Sequence, residues 1–324
     1  MAISDSTIHD NAVWPDIHVA TWAGTKRSLH LYSQMLGKMR VALSATQPNW
    51  MFTRLHMTAR GFSTGFIPFG RGSFQATLDV FDSTIVIARS DGEKRTIALV
   101  PVRTIAEVYE AVSRALLELR LTCYISPIPQ EVPDTTPFNE DHRPSEYDPA
   151  AVQRWFNATT ATATVFESWR SCFFGRSGLQ LWWGAFDLAL ILFSGRRVTP
   201  PTDRGYLMKY DLDAELMNVG LYLGDEQNAP FFYGYIYPEP PNAATLPVAS
   251  PGSWSTQLHE WTMPYDAVRT LKDPAVGINA FVDSIYELCF TAAGWSRDTC
   301  VYDAPKRPRA GISVLANRAG ASES

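Results

Sequence analysis

The stretch Leu179-Gln-Leu-Trp-Trp-Gly-Ala-Phe-Asp-Leu-Ala-Leu-Ile-Leu-Phe-Ser-Gly-Arg196 decides how the chain is divided, because an earlier stretch can be aligned with it. The earlier stretch is Trp50-Met-Phe-Thr-Arg-Leu-His-Met-Thr-Ala-Arg60, and a constant offset brings His56 onto Asp187. Each stretch follows a segment with helical periodicity and precedes strand-like segments and another helix. A unit that occurs twice indicates an internal duplication, and the join between two such units is a natural place for a pocket.

The first unit, residues 1–121, is predicted to contain two helices that flank four strands. The helices cover Lys26–Leu43 and Thr104–Leu119, where apolar residues recur at helical spacing, and Thr104 suits the N-cap position. The strands are predicted over Trp50–Arg60, Ser73–Phe81, Thr84–Ala88 and Arg95–Val100. The first strand alternates, so its polar residues, His56 among them, share one face.

A proline-rich connector over residues 122–148 separates the first unit from the second unit, residues 149–324. Proline at this density excludes regular helix and central strand. The second unit repeats the plan of the first, with helices over Pro149–Phe173 and Ala275–Ala292 and four strands between them. We therefore expect an α+β fold, in which two related helix–four-strand–helix units with antiparallel sheets pack about a pseudo-twofold axis.

Length, charge and composition exclude several classes of protein. With 324 residues, of which 46% are hydrophobic and 19% charged, the chain predicts a folded globular protein long enough for two domains or for one large fused domain. Its net charge of −5 argues against nucleic-acid binding, which needs concentrated Lys and Arg. No apolar run reaches the roughly 18–20 residues that cross a bilayer, and the first residues resemble no secretion signal, so we expect no membrane segment and a cytoplasmic location.

Several further stretches, spread over nearly the whole chain, carry a family resemblance. They include Leu29-His-Leu-Tyr-Ser-Gln-Met-Leu-Gly-Lys-Met-Arg40, Trp183-Gly-Ala-Phe-Asp-Leu188, Phe193-Ser-Gly-Arg196 and Tyr237-Pro-Glu-Pro240. In these stretches the chain resembles an uncharacterised bacterial family of domain-of-unknown-function proteins, and the resemblance implies no particular activity. The chain departs from the family pattern at Ile191-Leu192, where the family tends to carry Thr-Arg, and at Leu216-Met217-Asn218, where a His-Glu-Val-like stretch is expected.

The first helix offers one set of candidate functional residues. His30, Gln34 and Lys38 are spaced at i, i+4 and i+8, so they form one polar stripe, and Arg40 lies nearby. In a binding site, Lys38 and Arg40 would hold an anionic group and His30 would give or take a proton. A solvated helix face is the alternative interpretation of the same spacing.

Asp187 is the second candidate, because it interrupts an apolar run. A carboxylate there must be paired with a cation or with hydrogen-bond donors, or stay protonated with a raised pKa. The expected partners are Lys38, Arg60 or Arg196, and a purely structural ion pair is the alternative. The alignment makes His56 its counterpart, so we expect both side chains to point towards a shared interior and at least one pKa to be perturbed.

The sequence motifs predict no metal and no cofactor. The six histidines show neither HxH nor HExxH spacing, the four cysteines form no CxxC pair, and no glycine-rich nucleotide loop is present. Aromatic residues make up 12% of the chain, which suits an aromatic-lined pocket.

Together these observations favour a cofactor-independent enzyme of the lyase, isomerase or cyclase type, which uses acid/base chemistry on a small molecule between the two units. The predicted catalytic residues are Asp187, His56 and His30. The predicted substrate-binding residues are Lys38, Arg40, Arg60, Trp183 and Tyr235. The alternative is a non-catalytic ligand-binding or scaffolding protein, and the long Pro-rich loops leave a homo-oligomer open. A cavity that touches at least two of His56, Asp187, Lys38 and Arg60 would favour the enzyme.

Overall fold

The fold is built on one antiparallel β-sheet, seen in a computed structural model that describes residues 13–200 and 210–302. The strands of the first half are β1 (Leu55–Thr58), β2 (Gly61–Ser63), β3 (Ile67–Phe69), β4 (Gly72–Asp79), β5 (Thr84–Arg89) and β6 (Lys94–Ala98). Those of the second half are β7 (Gln180–Trp182), β8 (Asp187–Arg197), β9 (Ala214–Tyr222), β10 (Phe231–Tyr237), β11 (Ser253–Ser255) and β12 (Glu260–Pro264). Mixed helix and antiparallel sheet confirm the α+β class.

The helices flank the strands of each half along the chain. They are α1 (Ala23–Leu43), α2 (Ile105–Glu118), α3 (Pro149–Trp169), α4 (Tyr265–Arg269), α5 (Pro274–Thr291) and α6 (Arg297–Cys300). Within the described residues, no helix combines the length and apolar character needed to cross a membrane.

Helix starts follow the predicted capping chemistry. The Thr104 hydroxyl accepts a hydrogen bond from the Glu107 amide while the Glu107 carboxylate accepts one from the Thr104 amide, which is a complete capping box. Asp148 caps α3 in a similar way by accepting from the Ala150 amide. The predicted helix Pro149–Phe173 ends earlier, at Trp169, and continues as a single 3-10 turn over Arg170–Cys172.

The strand order joins the two halves into a single sheet. Across the sheet it runs β11-β12-β10-β9-β8-β7-β1-β2-β4-β5-β6, with β3 paired to β4. The first strands of the two halves, β1 and β7, are antiparallel neighbours in which Leu55 lies opposite Leu181 and His56 opposite Gln180. We expected each unit to have its own sheet. Instead, the backbone N–H and C=O groups of β1 and β7 form hydrogen bonds with one another, so neither strand is a sheet edge.

The stretch 179–193, predicted as one strand, is two strands in the structure. β7 ends at Trp182, a turn follows in which Phe186 has a φ of 60°, and β8 starts at Asp187, opposite Trp182. His56 lies in β1, at the join between the two halves of the sheet, and the strand across that join is β7. Asp187 lies in β8, one strand further from the join. The predicted correspondence of these two residues is wrong.

Helices pack against the apolar face of the sheet. Trp155 of α3 stacks on Phe62 of β2 with ring centroids 5.6 Å apart, and Ile285 of α5 packs against Gly234 of β10. Glu118 of α2 pairs with Arg95, which shares this face with its neighbour Ile87. Burial of this face accounts for most of the hydrophobic core.

The connector between the halves packs across the helices of the first half. The Lys38 ammonium donates to the Ile128 carbonyl, and the Gln34 amide donates to the Gln130 carbonyl at 2.7 Å. Asp141, only 1% exposed, forms ion pairs with Arg27 of α1 and with Arg143. The connector is therefore fixed to α1 by side-chain contacts with its backbone and its carboxylates.

Candidate functional site

The strand register gathers polar side chains on the sheet face opposite the helices, which we call the polar face. Asn218 of β9 lies between Ile191 of β8 and Tyr235 of β10. In the next row, Gly220 lies between Ala189 and Tyr233. Because side chains alternate along a strand, Asp187 shares this face with Ala189.

Glu260, Arg54 and Asp211 extend this group. Glu260 opens β12, and since Trp261 lies opposite Gly234, Glu260 falls beside Tyr235. Arg54 immediately precedes β1, on the same face as His56. Asp211 lies just before β9, where its carbonyl accepts from the Asn49 side chain. The Asp187 cluster is the name we give to Arg54, Asp187, Asp211, Asn218, Tyr233, Tyr235 and Glu260.

Tyr233 holds the Asp187 carboxylate in place. Asp187 is 6% exposed and accepts a hydrogen bond from the Tyr233 hydroxyl. The Tyr233 ring crosses β9 directly over Gly220, where a Cβ atom would lie 2.5 Å from the ring. Any larger residue at Gly220 would displace the ring, so this glycine permits the contact between Tyr233 and Asp187.

Burial raises the pKa of three carboxyl groups in the cluster. The pKa of Asp187 rises to about 6, chiefly through burial, against the lowering effect of the Tyr233 hydrogen bond. Burial and the neighbouring Asp187 raise the pKa of Glu260 to about 7. Burial also raises the pKa of Asp211 to about 6, although the positive charge of Arg54 opposes the change. These values place proton exchange in the physiological range.

Arg54 supplies positive charge within the cluster. Its guanidinium carbon lies 3.6 Å from the centroid of the Trp182 ring, in cation–π contact. The guanidinium also donates to the Asn49 carbonyl at 2.9 Å and to the Gln180 side chain at 3.3 Å. Burial lowers the pKa of Arg54 to about 10, so the group remains a cation at neutral pH.

Three buried polar atoms of the cluster lack a hydrogen-bond partner among the described residues. They are the side-chain oxygens Asn218 Oδ1 and Asp211 Oδ1, and the Arg54 Nε donor. Buried polar atoms are normally satisfied, so these three atoms leave hydrogen-bonding capacity unused within the cluster.

His30 lies outside this cluster, on α1. Its Nε2 atom lies 2.9 Å from the Trp183 carbonyl and 2.8 Å from the Gly184 carbonyl, and its ring stacks on Phe186 at 5.0 Å. Two carbonyl acceptors require a proton on Nε2. Burial lowers the pKa of His30 to about 4, so the ring is neutral and holds the turn between β7 and β8.

The other predicted residues of α1 and the turn also make structural contacts. Arg40 donates to the Phe52 carbonyl at 2.7 Å and to the Thr64 carbonyl. Burial lowers the pKa of Lys38 to about 8, and its ammonium lies 5.5 Å from the Phe138 ring. The Trp183 indole donates to the Thr53 carbonyl at 2.8 Å. These groups tie α1 to the connector and to the segment before β1.

Arg60 and His56 lie in the first half of the sheet. Arg60 pairs at the surface with Asp79 and Asp82, so it is not the partner of Asp187. His56 is partly buried beside Gly65, and its pKa is lowered by burial and by the charge of Arg40. Of the predicted site residues, the structure brings Asp187 and Tyr235 together, and it places the others elsewhere.

Two cavities of the described structure lie away from the predicted residues. One of about 430 Å³ lies between Asn49, Met51 and the strand end at Phe193–Arg197, and one of about 370 Å³ lies along α2 beside His142. Neither is lined by His56, Asp187, Lys38 or Arg60. Asn49 lines the first cavity, and its carbonyl accepts a hydrogen bond from Arg54.

The sequence left several members of the cluster unidentified. Arg54, Asn218, Asp211 and Glu260 come from different strands or loops, and only strand register brings them together. One signal was present: Tyr233, Tyr235 and Tyr237 alternate along β10, which puts three hydroxyl-bearing rings on one face.

Comparison with known families places the chain in one of them. The model of a family of unknown function (DUF5996) matches residues 14–301, so the chain belongs to that family. Searches among curated proteins and solved structures found no match.

Proposed function

We propose that the protein is a cofactor-independent enzyme that binds a small molecule at the Asp187 cluster and transfers a proton to or from it. One observation carries the proposal: two carboxyl groups, Asp187 and Glu260, lie on one sheet face with pKa values raised to about 6 and about 7. Perturbed carboxyl pairs of this kind are typical of acid/base sites.

The two carboxyl groups would have different roles. Near neutral pH, Asp187 is mainly ionised and is the base, held by Tyr233, whose own pKa is raised well above its ordinary value by burial and by Asp187. Glu260, half-buried and with a pKa of about 7, keeps its proton in about half of the molecules and is the acid. Half-buried Trp182 and Tyr235 give the cluster aromatic walls.

A binding protein without catalysis is the second candidate. It is favoured by the structural contacts of His30, Lys38 and Arg40, and by cavities that do not reach His56 or Asp187. Such a protein would use the same aromatic and acidic face to hold a ligand without changing it. The enzyme and the binding protein would therefore use the same site, and only the enzyme would convert its ligand.

The experiment that separates them compares wild type with Asp187→Asn. Each protein is incubated with a mixture of small metabolites in deuterated water, and compounds that change or gain deuterium are identified by mass spectrometry. We expect wild type to convert or exchange at least one compound and Asp187→Asn to lose this effect. Asp298→Asn, an exposed change of the same kind, is the control. Identical profiles for wild type and Asp187→Asn would contradict the proposal.

We further propose that the two halves arose by duplication, with β1 and β7 related by a pseudo-twofold axis between them. In support, each half begins with a long helix, α1 or α3, continues into the antiparallel strands and ends with a helix. Superposition of residues 23–118 on residues 149–291 is the test. Pairing of β1 with any strand other than β7 in the best superposition would contradict it.

A further inference from the structure

We propose that the ligand of the Asp187 cluster is a small organic cation with N–H donors, namely a primary ammonium or a guanidinium compound. This inference rests on the proposed function, because it names the class of molecule that the same site would take. It is carried by the charge balance of the cluster, by its unpartnered acceptor atoms and by cations that the protein itself places against the rings of this face.

The charge balance of the cluster favours a cation. Among the described residues, the Arg54 guanidinium is the cation that acts on Asp187 and Asp211, whereas Glu260 lies within reach of Asp187 and Glu131 of the connector adds a further negative charge that acts on Asp187 and Asp211. In the described part of the chain, the Glu260 carboxylate forms neither an ion pair nor a hydrogen bond. A half-buried carboxylate in this setting is stabilised by a bound positive charge.

The unpartnered acceptors require N–H or O–H donors from the ligand. Asn218 is 6% exposed, and its amide nitrogen donates to the Tyr235 hydroxyl at 3.1 Å, which turns the amide oxygen away from that contact. This oxygen and Asp211 Oδ1 are two buried acceptors without a partner among the described residues. An ammonium or guanidinium group carries several N–H donors, so it matches both of these acceptors, whereas the third unpartnered atom of the cluster, the Arg54 Nε donor, is not part of this match.

The protein already places two of its own cations against aromatic rings of the polar face. The Arg54 guanidinium stacks on Trp182 at 3.6 Å, and the Lys26 ammonium lies 5.9 Å from the Tyr222 ring. Tyr222 shares the face with Asn218, since it lies four residues further along β9. These contacts show that the rings of this face present their electron-rich sides to positive charge.

The binding test uses n-butylguanidinium and n-butylammonium as probes, with n-butanol as the neutral control and butyrate as the anionic control. Titration of the full chain is followed by calorimetry and by tryptophan fluorescence, to which Trp182 contributes. We expect the cationic probes to bind at least about tenfold more tightly than n-butanol or butyrate, as one charge-assisted hydrogen bond would give.

Two variants locate the binding. Glu260→Gln and Asn218→Leu should each weaken binding of the cationic probes by about tenfold, because the first removes the negative charge that pairs with the cation and the second removes an acceptor. Glu226→Gln removes the same charge from an exposed loop position and should leave the affinity unchanged. Thermal melting of each variant establishes that it is folded. If Glu260→Gln does not fold, the affinity of Asn218→Leu alone tests whether the cations bind at the cluster.

The outcomes separate this inference from the proposed enzyme. Butyrate or n-butanol binding as tightly as the cations, no saturable cation binding, or cation binding that Glu260→Gln and Asn218→Leu leave unchanged would each overturn the ligand class. Conversion of only neutral or anionic metabolites would overturn the ligand class and support the enzyme. Cation binding at the cluster without any Asp187-dependent turnover would support the ligand class and contradict the enzyme.

Discussion

The stability of Asp187→Asn relative to wild type should increase as the pH rises. The substitution keeps an acceptor for the Tyr233 hydroxyl and removes a carboxyl that burial makes difficult to ionise. In wild type, the folded state holds the Asp187 proton up to a pKa of about 6, whereas an unfolded chain releases it at the ordinary 3.8. Stability therefore falls as the pH rises from 4 to 6 and then levels off.

The magnitude follows from those two values. Ionising Asp187 in the folded state costs about 3 kcal/mol more than in the unfolded chain, since each pKa unit corresponds to about 1.4 kcal/mol. Because part of this cost is already present at pH 4, the difference in unfolding free energy between Asp187→Asn and wild type should shift by about 2.5 kcal/mol in favour of the variant between pH 4 and pH 8. Other groups titrate in both proteins, so their contributions largely cancel in the comparison.

The assay is urea unfolding followed by tryptophan fluorescence at pH 4, 5, 6, 7 and 8. A structural ion pair between Asp187 and Arg54 would give the opposite result, because the substitution would leave Arg54 unpaired and cost about 3–5 kcal/mol at neutral pH. A difference between variant and wild type that does not change with pH, or a loss of that size at pH 8, would refute the reasoning.

Three further changes test one packing contact of the cluster and two perturbed pKa values outside it. Gly220→Ala should destabilise the protein by about 1–3 kcal/mol in urea unfolding, because the new Cβ would meet both the Tyr233 ring and the Leu188 carbonyl oxygen; an unchanged midpoint would contradict the close packing described at Gly220. Wild type should lose stability as the pH falls from 6.5 to 4, because His30 takes up a proton in the unfolded chain but stays neutral in the folded protein. His30→Gln should abolish this pH dependence. Melting curves of the variant that keep it would contradict a neutral His30. Asp225→Asn should destabilise the protein more at pH 7 than at pH 3. Although burial alone would raise the pKa of Asp225, hydrogen bonds from Asn228, Gln227 and Tyr222 lower it to about 2; equal losses at both pH values would contradict this.

Elements with local signals were predictable from the sequence. The start of α2 is an example, because Thr104 and Glu107 are three residues apart and their capping box needs no distant partner. The start of α3 at Asp148-Pro149 follows the same logic.

The division of residues 179–193 into two strands was not predictable by periodicity. In β8, consecutive residues such as Leu188 and Ala189 are each 2% exposed, so both faces are buried and no alternation marks where a strand starts. The chain reverses in the turn before Asp187, where Phe186 takes up a left-handed conformation that few non-glycine residues adopt. Without that turn, the alignment assigned Asp187 to the wrong strand.

The candidate site was predictable in part. A carboxyl within an apolar run predicted that Asp187 is buried with a perturbed pKa, and both features are present. The expected partners were Lys38, Arg60 or Arg196, whereas the structure shows Tyr233, which lies 46 residues away in β10. Strand register across β8, β9 and β10 makes that contact, and register depends on pairing that the sequence does not display.

The central claim is that Asp187 and Glu260 each gain and lose a proton near neutral pH. Carboxyl ¹³C NMR titration of protein labelled at Asp and Glu tests this claim. Spectra of Asp187→Asn and Glu260→Gln assign the two signals. The structure predicts that Asp187 titrates with a pKa of about 6 and Glu260 with a pKa of about 7, and that the pKa of Glu260 falls when Asp187 is replaced, because a neighbouring negative charge is removed. Titration of both carboxyl groups at the ordinary values for exposed Asp and Glu would contradict the assignment of this face as an acid/base site.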